Sequence, residues 1–493
     1  MNHEVIDGVP VLWAEAPGPL EAALLFGCGA RDESFRTLGV THLVEHLAMG
    51  TLPRLHHEHN ASVGLTTTEF TCSGRPEQVV EFLGLVCRAL GALPLERIER
   101  EAGVLAAEGG MSADPVTGEL LSHRYGVQGV GLAAYQGPGP DRIPVEAVRE
   151  TLARYFHAGN AVLVLTGPPP AGLRLPLPSG ERPPRGATQP VLRGGAAWYQ
   201  ENVPSPGLAL HGDLDDDALF LAVEVLANRL RETVRHQHGL SYDVGRDTVF
   251  VGPGQGERTL VLDAREGQDQ RVAELLWAET VRLARDGMSE QELAEELAGV
   301  REAFQDPRST PFELREAAAE SLFGGDYRDA DTRLDSLTRV TPDGARQALA
   351  QALRTAVLVV PCGTEPDVRQ SDGTPLPKYS CGGGGQRLPA AGRTFRPPLL
   401  ARLFSSNARR IRLVVDEAGL WMGHPDGTVC HVRYDEVVGV ETDGPSRVVF
   451  GRNSCFIPVV SDLFPDAAPA VAAIDAAVPE SLRYPVSAFR PTE

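Results

Sequence analysis

Short apolar runs alternate with stretches of helical periodicity along the first part of the chain. Residues 9–26 predict a hairpin of strands that turns at Pro17-Gly18-Pro19, and residues 62–73 predict one or two more strands. Apolar positions that recur every three or four residues predict helices at 37–49, 76–90, 95–109 and 145–156. The apolar run 161–166 predicts a closing strand.

A similar order of elements returns later in the chain. Strands are predicted at 207–212, 242–251, 258–263 and 356–361, and helices at 216–235, 269–285, 289–304 and 311–322. This repetition hints at an internal duplication, although residue identity between the two parts is too low to establish one. The proline-rich residues 168–190 between them predict a linker.

The last hundred residues change character. Six short strands are predicted at 411–416, 420–423, 428–433, 437–442, 447–450 and 455–460, followed by a helix at 467–477. A strand meander closed by one helix resembles a pleckstrin-homology-like domain. The segment before it contains Cys381 and four glycines, which predict a tether and not a phosphate loop, since no Gly-Lys-Ser/Thr follows.

These patterns predict an α+β protein of three domains, a number that suits a chain of 493 residues. Two α/β sandwich domains, each an antiparallel sheet with helices, are expected at 1–185 and 186–371. A linker at 372–398 and a small β-rich domain at 399–493 complete the expected organisation.

Composition narrows the range of partners and compartments. The formal charge of −20 argues against a general nucleic-acid binder and against an anionic-membrane binder. Neither a signal peptide nor an apolar run of about 20 residues is evident, and seven dispersed cysteines suit reduced thiols in a cytoplasm. We interpret the arginines before the terminal meander as a solvated or protein-docking surface, without lipid binding: Arg402, Arg409, Arg410 and Arg412.

Metal chemistry is indicated by His42-Leu43-Val44-Glu45-His46, which spells H-x-x-E-H. Positions four apart on a helix lie nearly above one another, so both imidazoles can reach one metal ion. Glu45 lies on the same side of the helix, where its carboxylate could act on a water molecule. The inverted order of the common H-E-x-x-H pattern marks one class of zinc peptidases.

A third ligand is needed for a hydrolytic zinc site, which keeps its fourth position open. Glu101 and Glu108 are two helical turns apart on one predicted helix, so their carboxylates share a face. One of them could ligate the metal while the other orients a histidine. His56-His57-Glu58-His59 also attracts attention, but its spacing is not that of a helical ligand pair.

Several stretches resemble, in family order, the M16 zinc metallopeptidases, which include pitrilysin, insulin-degrading enzyme and the mitochondrial processing peptidases. The resemblance spans roughly residues 1–366 and rests on Phe26-Gly27-Cys28-Gly29-Ala30-Arg31-Asp32-Glu33, Gly39-Val40-Thr41 with the H-x-x-E-H, Asn60-Ala61 with residues 66–70, the run ending at Glu108, and Arg235 with Gly239-Leu240-Ser241-Tyr242. H-x-x-E-H alone is moderately specific, whereas five such stretches in order are a strong signal.

By this resemblance, His42, His46 and Glu108 bind one zinc ion per chain, with Glu45 as the general base. Glu101 is expected to orient a ligand from behind. The 62 residues that separate His46 from Glu108 are fewer than is usual in the family.

Glu119 would give a longer spacing, but it lies beyond Asp114-Pro115 and outside the matching helix, so we favour Glu108.

The resemblance also implies substrate contacts. Asn60 and Ala61 are expected in an edge strand to which a peptide adds as a further strand. His57-Glu58-His59 stands where the family usually has Gly-Gly, which changes this stretch in detail. Arg235 and Tyr242, from the second domain, are expected to hold the peptide or the developing oxyanion.

The expected function is that of a zinc-dependent endopeptidase acting on small or unfolded peptides, which includes the processing of a peptide precursor. Family chains enclose a chamber with four homologous domains, so a chain with two is expected to pair as a homodimer or with a related chain. Two alternatives remain: a non-catalytic binding or assembly subunit, and an adaptor whose role resides in the terminal domain.

Overall fold

The computed structural model describes residues 1–109, 113–192, 194–325, 327–381 and 386–487. Its first strands are β1 (Asn2–Ile6), β2 (Val9–Trp13), β3 (Leu20–Phe26), β4 (Glu58–Val63), β5 (Thr68–Gly74) and β6 (Ala161–Leu165). They form one sheet in the order β1-β2-β6-β3-β5-β4, in which only β2 and β6 run parallel.

The hairpin predicted for residues 9–26 is wrong, although both of its strands exist. β6 lies between β2 and β3, with Leu163 opposite Val11 on one side and Leu24 on the other. All five residues of β6 are apolar and buried, which suits a central strand covered on both faces.

Helices of this first part are α1 (Val40–Met49), α2 (Pro76–Gly91), α3 (Ile98–Glu108), α4 (Pro115–Tyr125) and α5 (Val145–Tyr155). α1 begins three residues later than predicted because Gly39 adopts a left-handed conformation, with φ of +92°. A 3₁₀ turn over Leu95–Arg97 precedes α3, and α4 was not predicted.

The second part contains β7 (Ala197–Glu201), β8 (Gly207–Asp213), β9 (Ser241–Gly252), β10 (Gln255–Ala264) and β11 (Val357–Pro361). Their order, β7-β11-β8-β10-β9, repeats β2-β6-β3-β5-β4 strand for strand, and β7 and β11 form the parallel pair. The duplication suggested by the order of elements is therefore present in the topology.

Helices of the second part are α6 (Asp217–Leu230), α7 (Asp269–Asp286), α8 (Glu290–Gln305), α9 (Thr310–Phe323), α10 (Ala330–Leu337) and α11 (Pro342–Leu353). A π-helical turn, Arg231–Gln237, extends α6. α10 and α11 were not predicted.

Each part contributes one helix that packs on the sheet of the other part. α9 packs on the first sheet through Leu314, Ala318 and Leu322, and α4 packs on the second sheet through Val116 and Leu120. Apolar residues are thereby buried on both faces of each sheet, which removes far more surface from water than one covered face would.

Residues near the C-terminus form a β-rich unit. It contains β12 (Arg393–Phe395), α12 (Leu399–Phe404), α13 (Ser406–Arg410), β13 (Arg412–Val415), β14 (Gly419–Gly423), β15 (Val429–Arg433), β16 (Val437–Asp443), β17 (Ser446–Gly451), β18 (Phe456–Val459), α14 (Ala468–Ala477) and β19 (Arg483–Pro485). Two sheets result, β12-β13-β14-β15 and β18-β17-β16-β19. The segment 372–398, expected to be a linker, thus ends in a strand, because the backbone of β12 pairs with β13.

The β-rich unit packs against the first part beside α1. The ring of Phe35 lies 4.8 Å from that of Phe450, and Arg36 stacks on Tyr484 at 4.8 Å. The N–H of Val127 donates to the carbonyl of Arg452 at 2.8 Å. Aromatic packing and backbone hydrogen bonds together hold this unit close to the H-x-x-E-H helix.

Cys381 and Cys455 are bonded as a disulfide, with their Cα atoms 5.5 Å apart. The expectation that all cysteines are reduced thiols is therefore not met for this pair, because folding brings residues 74 positions apart into contact. The free cysteines among the described residues are Cys28, Cys72, Cys87, Cys362 and Cys430.

Membrane-spanning potential is weak in the described part of the chain. No single helix there is long and apolar enough to cross a bilayer, and one pair bent by 85°, Pro76–Gly91 with Leu95–Glu108, passes the same test only when taken together.

Candidate metal centre

The start of α1 is fixed by a buried carboxylate. The backbone N–H groups of Gly39 and Thr41 donate to the two carboxylate oxygens of Glu33, at 2.7 and 2.8 Å. Unpaired N–H groups at a helix N-terminus favour such an acceptor. Burial nevertheless raises the pKa of Glu33 to about 7. Glu33 belongs to the stretch that resembles the family, but its capping role was not predicted.

α1 presents both histidines and Glu45 to one side. The imidazole centroids of His42 and His46 are 4.9 Å apart. Glu45 Oε2 lies 3.6 Å from His42 Nε2 and 3.8 Å from His46 Nε2. The three side chains predicted from the pentad therefore converge on one small volume.

α3 supplies the third candidate ligand. Glu108 Oε2 lies 3.4 Å from His46 Nε2 and 3.8 Å from His42 Nε2. The helix ends directly afterwards at Gly109, whose φ of +61° suits glycine. Glu119 lies elsewhere, on α4, within 4.8 Å of His123 and Glu201.

Glu101 lies beside His46, on the face of α3 that it shares with Glu108. Its Oε2 lies 3.9 Å from His46 Nδ1, on the opposite side of the ring from Glu108. Arg97 donates from Nη2 to Glu101 Oε1 at 2.9 Å and from Nη1 to the carbonyl of Gly50, just after α1. Arg97 thus holds α1 and Glu101 in register, a role that the sequence did not reveal.

Burial at the cluster favours the uncharged forms of His42 and Glu45. Burial and the neighbouring His46 lower the pKa of His42. Burial, with a smaller effect of Glu108, raises the pKa of Glu45 to about 7. Neutral imidazole nitrogens are competent ligands, and a carboxylate whose pKa lies near 7 suits proton transfer.

The donor set fits a zinc ion. One nitrogen from each histidine and one oxygen of Glu108 lie within 4.8 Å of one another. Ligands at about 2.0–2.2 Å from a tetrahedral zinc are roughly 3.4 Å apart, close to the 3.4 and 3.8 Å that separate the histidine nitrogens from Glu108. The side chain of Glu108 is 47% exposed, so the cluster is open to solvent on its side.

A cavity of about 550 Å³ adjoins the cluster, and the β-rich unit forms one of its walls. The lining includes His42 and Leu105, from the two helices of the cluster, and Glu441, Phe450 and Tyr484, from the β-rich unit. Residues of the β-rich unit, although distant in sequence, thus lie near the candidate metal centre.

Asn60 and Ala61 occupy β4, as expected. β4 is the last strand of its sheet and, among the residues that the structure describes, pairs with β5 alone, with Asn60 opposite Thr71 and Ala61 opposite Phe70. Its outer edge therefore offers backbone N–H and C=O groups to an added strand.

Arg235 and Tyr242 form a pair of their own. The guanidinium of Arg235 lies 5.0 Å from the centroid of the Tyr242 ring, and Tyr242 is 75% exposed at the start of β9. Among the contacts of the described residues, none joins this pair to the histidines or to Glu45. The structure brings the two residues together but does not bring them to the cluster.

The fold and the cluster of candidate ligands can be compared with those of known proteins. The chain has two topologically repeated α/β parts, and a helix bearing His-x-x-Glu-His faces a glutamate from a second helix. No family model and no curated protein sequence matches the chain. Its similarity to known proteins lies in its three-dimensional structure.

Solved structures similar to this chain include M16 peptidases and other proteases. They include a protease from Helicobacter pylori (TM-score 0.59, 14% identity, 73% of this chain and 98% of that one). The peptidase M16 inactive domain from Pseudomonas fluorescens is similar over 75% of this chain and 99% of its own (TM-score 0.55, 16% identity), and pitrilysin over 73% and 44% (TM-score 0.51, 16% identity). This chain therefore has the M16 peptidase fold, which both proteases and a domain described as inactive share.

Proposed function

We propose that the protein is a zinc-dependent endopeptidase of M16 type. The observation that carries the proposal is the convergence of His42, His46 and Glu108, with the carboxylate of Glu45 within 4 Å of both imidazoles. A metal-binding cluster alone would serve structure equally well. The added carboxylate, placed close to both imidazoles, would supply the base that hydrolysis requires.

His42, His46 and Glu108 would hold the zinc ion, and bound zinc would supply Lewis acidity. Glu45 Oε2 would accept a proton from the attacking water as the water oxygen bonds to the scissile carbonyl carbon. The same oxygen would return the proton to the leaving nitrogen as the C–N bond breaks. Glu101 and Arg97 would keep the ring of His46 fixed throughout.

The substrate would add to β4 as an extended strand. Main-chain hydrogen bonds at this edge give affinity without a strict sequence requirement, which suits small or unfolded peptides. Side-chain selection would come from the cavity beside His42, which residues of the β-rich unit also line.

A paired assembly is part of the proposal. Two parts of the repeated fold, one with the cluster and one with Arg235 and Tyr242, would enclose a substrate between two chains, either identical or related. Sedimentation of the purified chain gives its mass in solution. A protein that is active as a monomer would contradict the proposed pairing.

The direct test compares three proteins for zinc content and for cleavage of an unstructured peptide library. Wild type should bind zinc and cleave. Glu45→Gln should keep the zinc and lose about 10²–10⁴-fold in kcat, the usual contribution of a general base. Glu150→Gln, which makes the same change at an exposed site on α5, should behave as wild type. Zinc binding without any cleavage by wild type would favour the non-catalytic subunit instead.

A further inference from the structure

A second group of metal-binding side chains lies in the β-rich unit, far along the chain from the first. Three of the seven cysteines, Cys381, Cys430 and Cys455, meet there with their sulfur atoms within 4.8 Å of one another. All three are buried. The disulfide between Cys381 and Cys455 accounts for two of these sulfurs and leaves the thiol of Cys430 beside them.

An imidazole lies beside one of the three sulfurs. His424 Nε2 lies 3.3 Å from the sulfur of Cys430. Both residues belong to the β14–β15 hairpin, whose turn is closed by a hydrogen bond from the N–H of His424 to the carbonyl of Thr428 at 2.9 Å. Imidazole nitrogen and thiolate sulfur are both ligands of structural zinc, and this hairpin presents one of each.

The other half comes from two separate segments. Cys455 lies just before β18, in the turn after β17, where its carbonyl accepts from the N–H of Gly451 at 2.8 Å. Cys381 follows a segment attached to the second sheet, since the N–H of Tyr379 donates to the carbonyl of Trp198 at 3.0 Å. The four side chains thus join two hairpins and the chain that enters the unit.

We propose that these three cysteines and His424 bind a zinc ion once the Cys381–Cys455 disulfide is reduced. Sulfurs at about 2.3 Å from a tetrahedral zinc are roughly 3.8 Å apart, so the bonded sulfurs of Cys381 and Cys455 must separate on reduction, whereas the sulfur of Cys430 already lies within 4.8 Å of both. Three thiolates and one imidazole are a ligand set that zinc prefers, and they leave no open position, so the site is structural and not catalytic.

The chemistry balances with a dithiol as reductant. Two electrons from the dithiol break the sulfur–sulfur bond, and the dithiol becomes a disulfide. The released thiols of Cys381 and Cys455, with that of Cys430, lose their protons to solvent as the metal binds. Disulfide and zinc are therefore alternative cross-links at one place, selected by the redox state of the surroundings.

Zinc analysis of the full chain, purified and equilibrated with Zn²⁺ in a dithiol, tests the proposal. Wild type should hold two zinc ions per chain and His46→Ala one. Cys430→Ser should lose the second ion, whereas Cys87→Ser, a buried thiol outside the group, should retain it. Oxidised wild type should hold one ion less than reduced wild type.

Two results would overturn the inference: Cys430→Ser with as much zinc as Cys87→Ser, or reduced His46→Ala without zinc. Because the two sites are removed by different variants, failure of the peptidase proposal would leave this test intact. Should Cys430→Ser misfold, His424→Asn serves instead. It should weaken zinc binding at this site at least tenfold and diminish the thiolate-to-metal absorption of the Co²⁺-substituted protein, and an unchanged spectrum would count against the site.

Discussion

Glu108 Oε2 lies 3.4 Å from His46 Nε2, so the end of α3 meets α1 across only 62 residues of chain. The short separation is accommodated because α3 stops at Gly109, immediately after the carboxylate. Glu119, the more distant candidate, is directed to His123 and Glu201 instead. This contact brings side chains of α1 and α3 together in one candidate site.

Glu108→Gln should abolish tight zinc binding. The neutral amide is a poor ligand, and two histidines alone leave the donor set incomplete, so we expect a loss of affinity of more than about 100-fold. Glu119→Gln is the matched control and should leave zinc affinity unchanged. Competition with a chromophoric chelator measures both, and equal effects of the two variants would show that the third ligand is misassigned.

Glu101 and Arg97 should act on zinc affinity without touching the ion. Removal of a carboxylate that orients a ligand histidine usually costs about 10–100-fold in affinity, and we expect this for Glu101→Gln. Arg97→Ala should give a smaller loss in the same direction, since Arg97 only holds Glu101. Arg97→Lys should recover part of the lost zinc affinity. A purely structural defect would instead lower the unfolding midpoint of each variant and leave its chelator competition unchanged.

The spacing of apolar residues predicted most helices and strands, but it did not predict which elements lie next to one another in the fold. α1 to α3 were anticipated because their apolar positions recur at helical spacing, whereas α4 is buried on nearly every side and shows no such contrast. The insertion of β6 between β2 and β3 could not be anticipated, since the pairings join residues 135–152 positions apart.

Site residues were predictable where spacing on one helix decides, as for His42, Glu45 and His46. Arg97 and Glu33 were missed because their roles depend on where a side chain points across a gap between elements. The contribution of the β-rich unit to the cavity was missed for the same reason: nothing in the spacing of Glu441 or Tyr484 relates them to α1.

Tyr242→Phe should separate catalysis from metal binding. If Tyr242 donates to the developing oxyanion in the assembled enzyme, loss of its hydroxyl should lower kcat by about 10²–10³-fold and leave KM and zinc content nearly unchanged. Steady-state kinetics on a fluorogenic peptide measure this, with Tyr327→Phe as a control in the same part of the chain. An unchanged kcat would remove Tyr242 from the mechanism, consistent with its separation from the cluster.

Glu33 should make the stability of the first part fall as pH rises. Burial raises the pKa of Glu33 to about 7 from its ordinary 4.5, so the folded chain retains a proton that the unfolded chain releases between these values. The stabilisation is fully present below pH 4.5 and is lost as pH rises to about 7, and it amounts to roughly 3 kcal/mol.

Glu33→Gln removes this titration, so the unfolding midpoint of wild type minus that of the variant should decrease between pH 4.5 and 7.5, by roughly 5 °C. Glu150→Gln should show no such trend, because its carboxylate is exposed. Thermal unfolding followed by circular dichroism across this range measures the difference. A constant difference would show that the hydrogen bonds from Gly39 and Thr41 to Glu33 outweigh its burial.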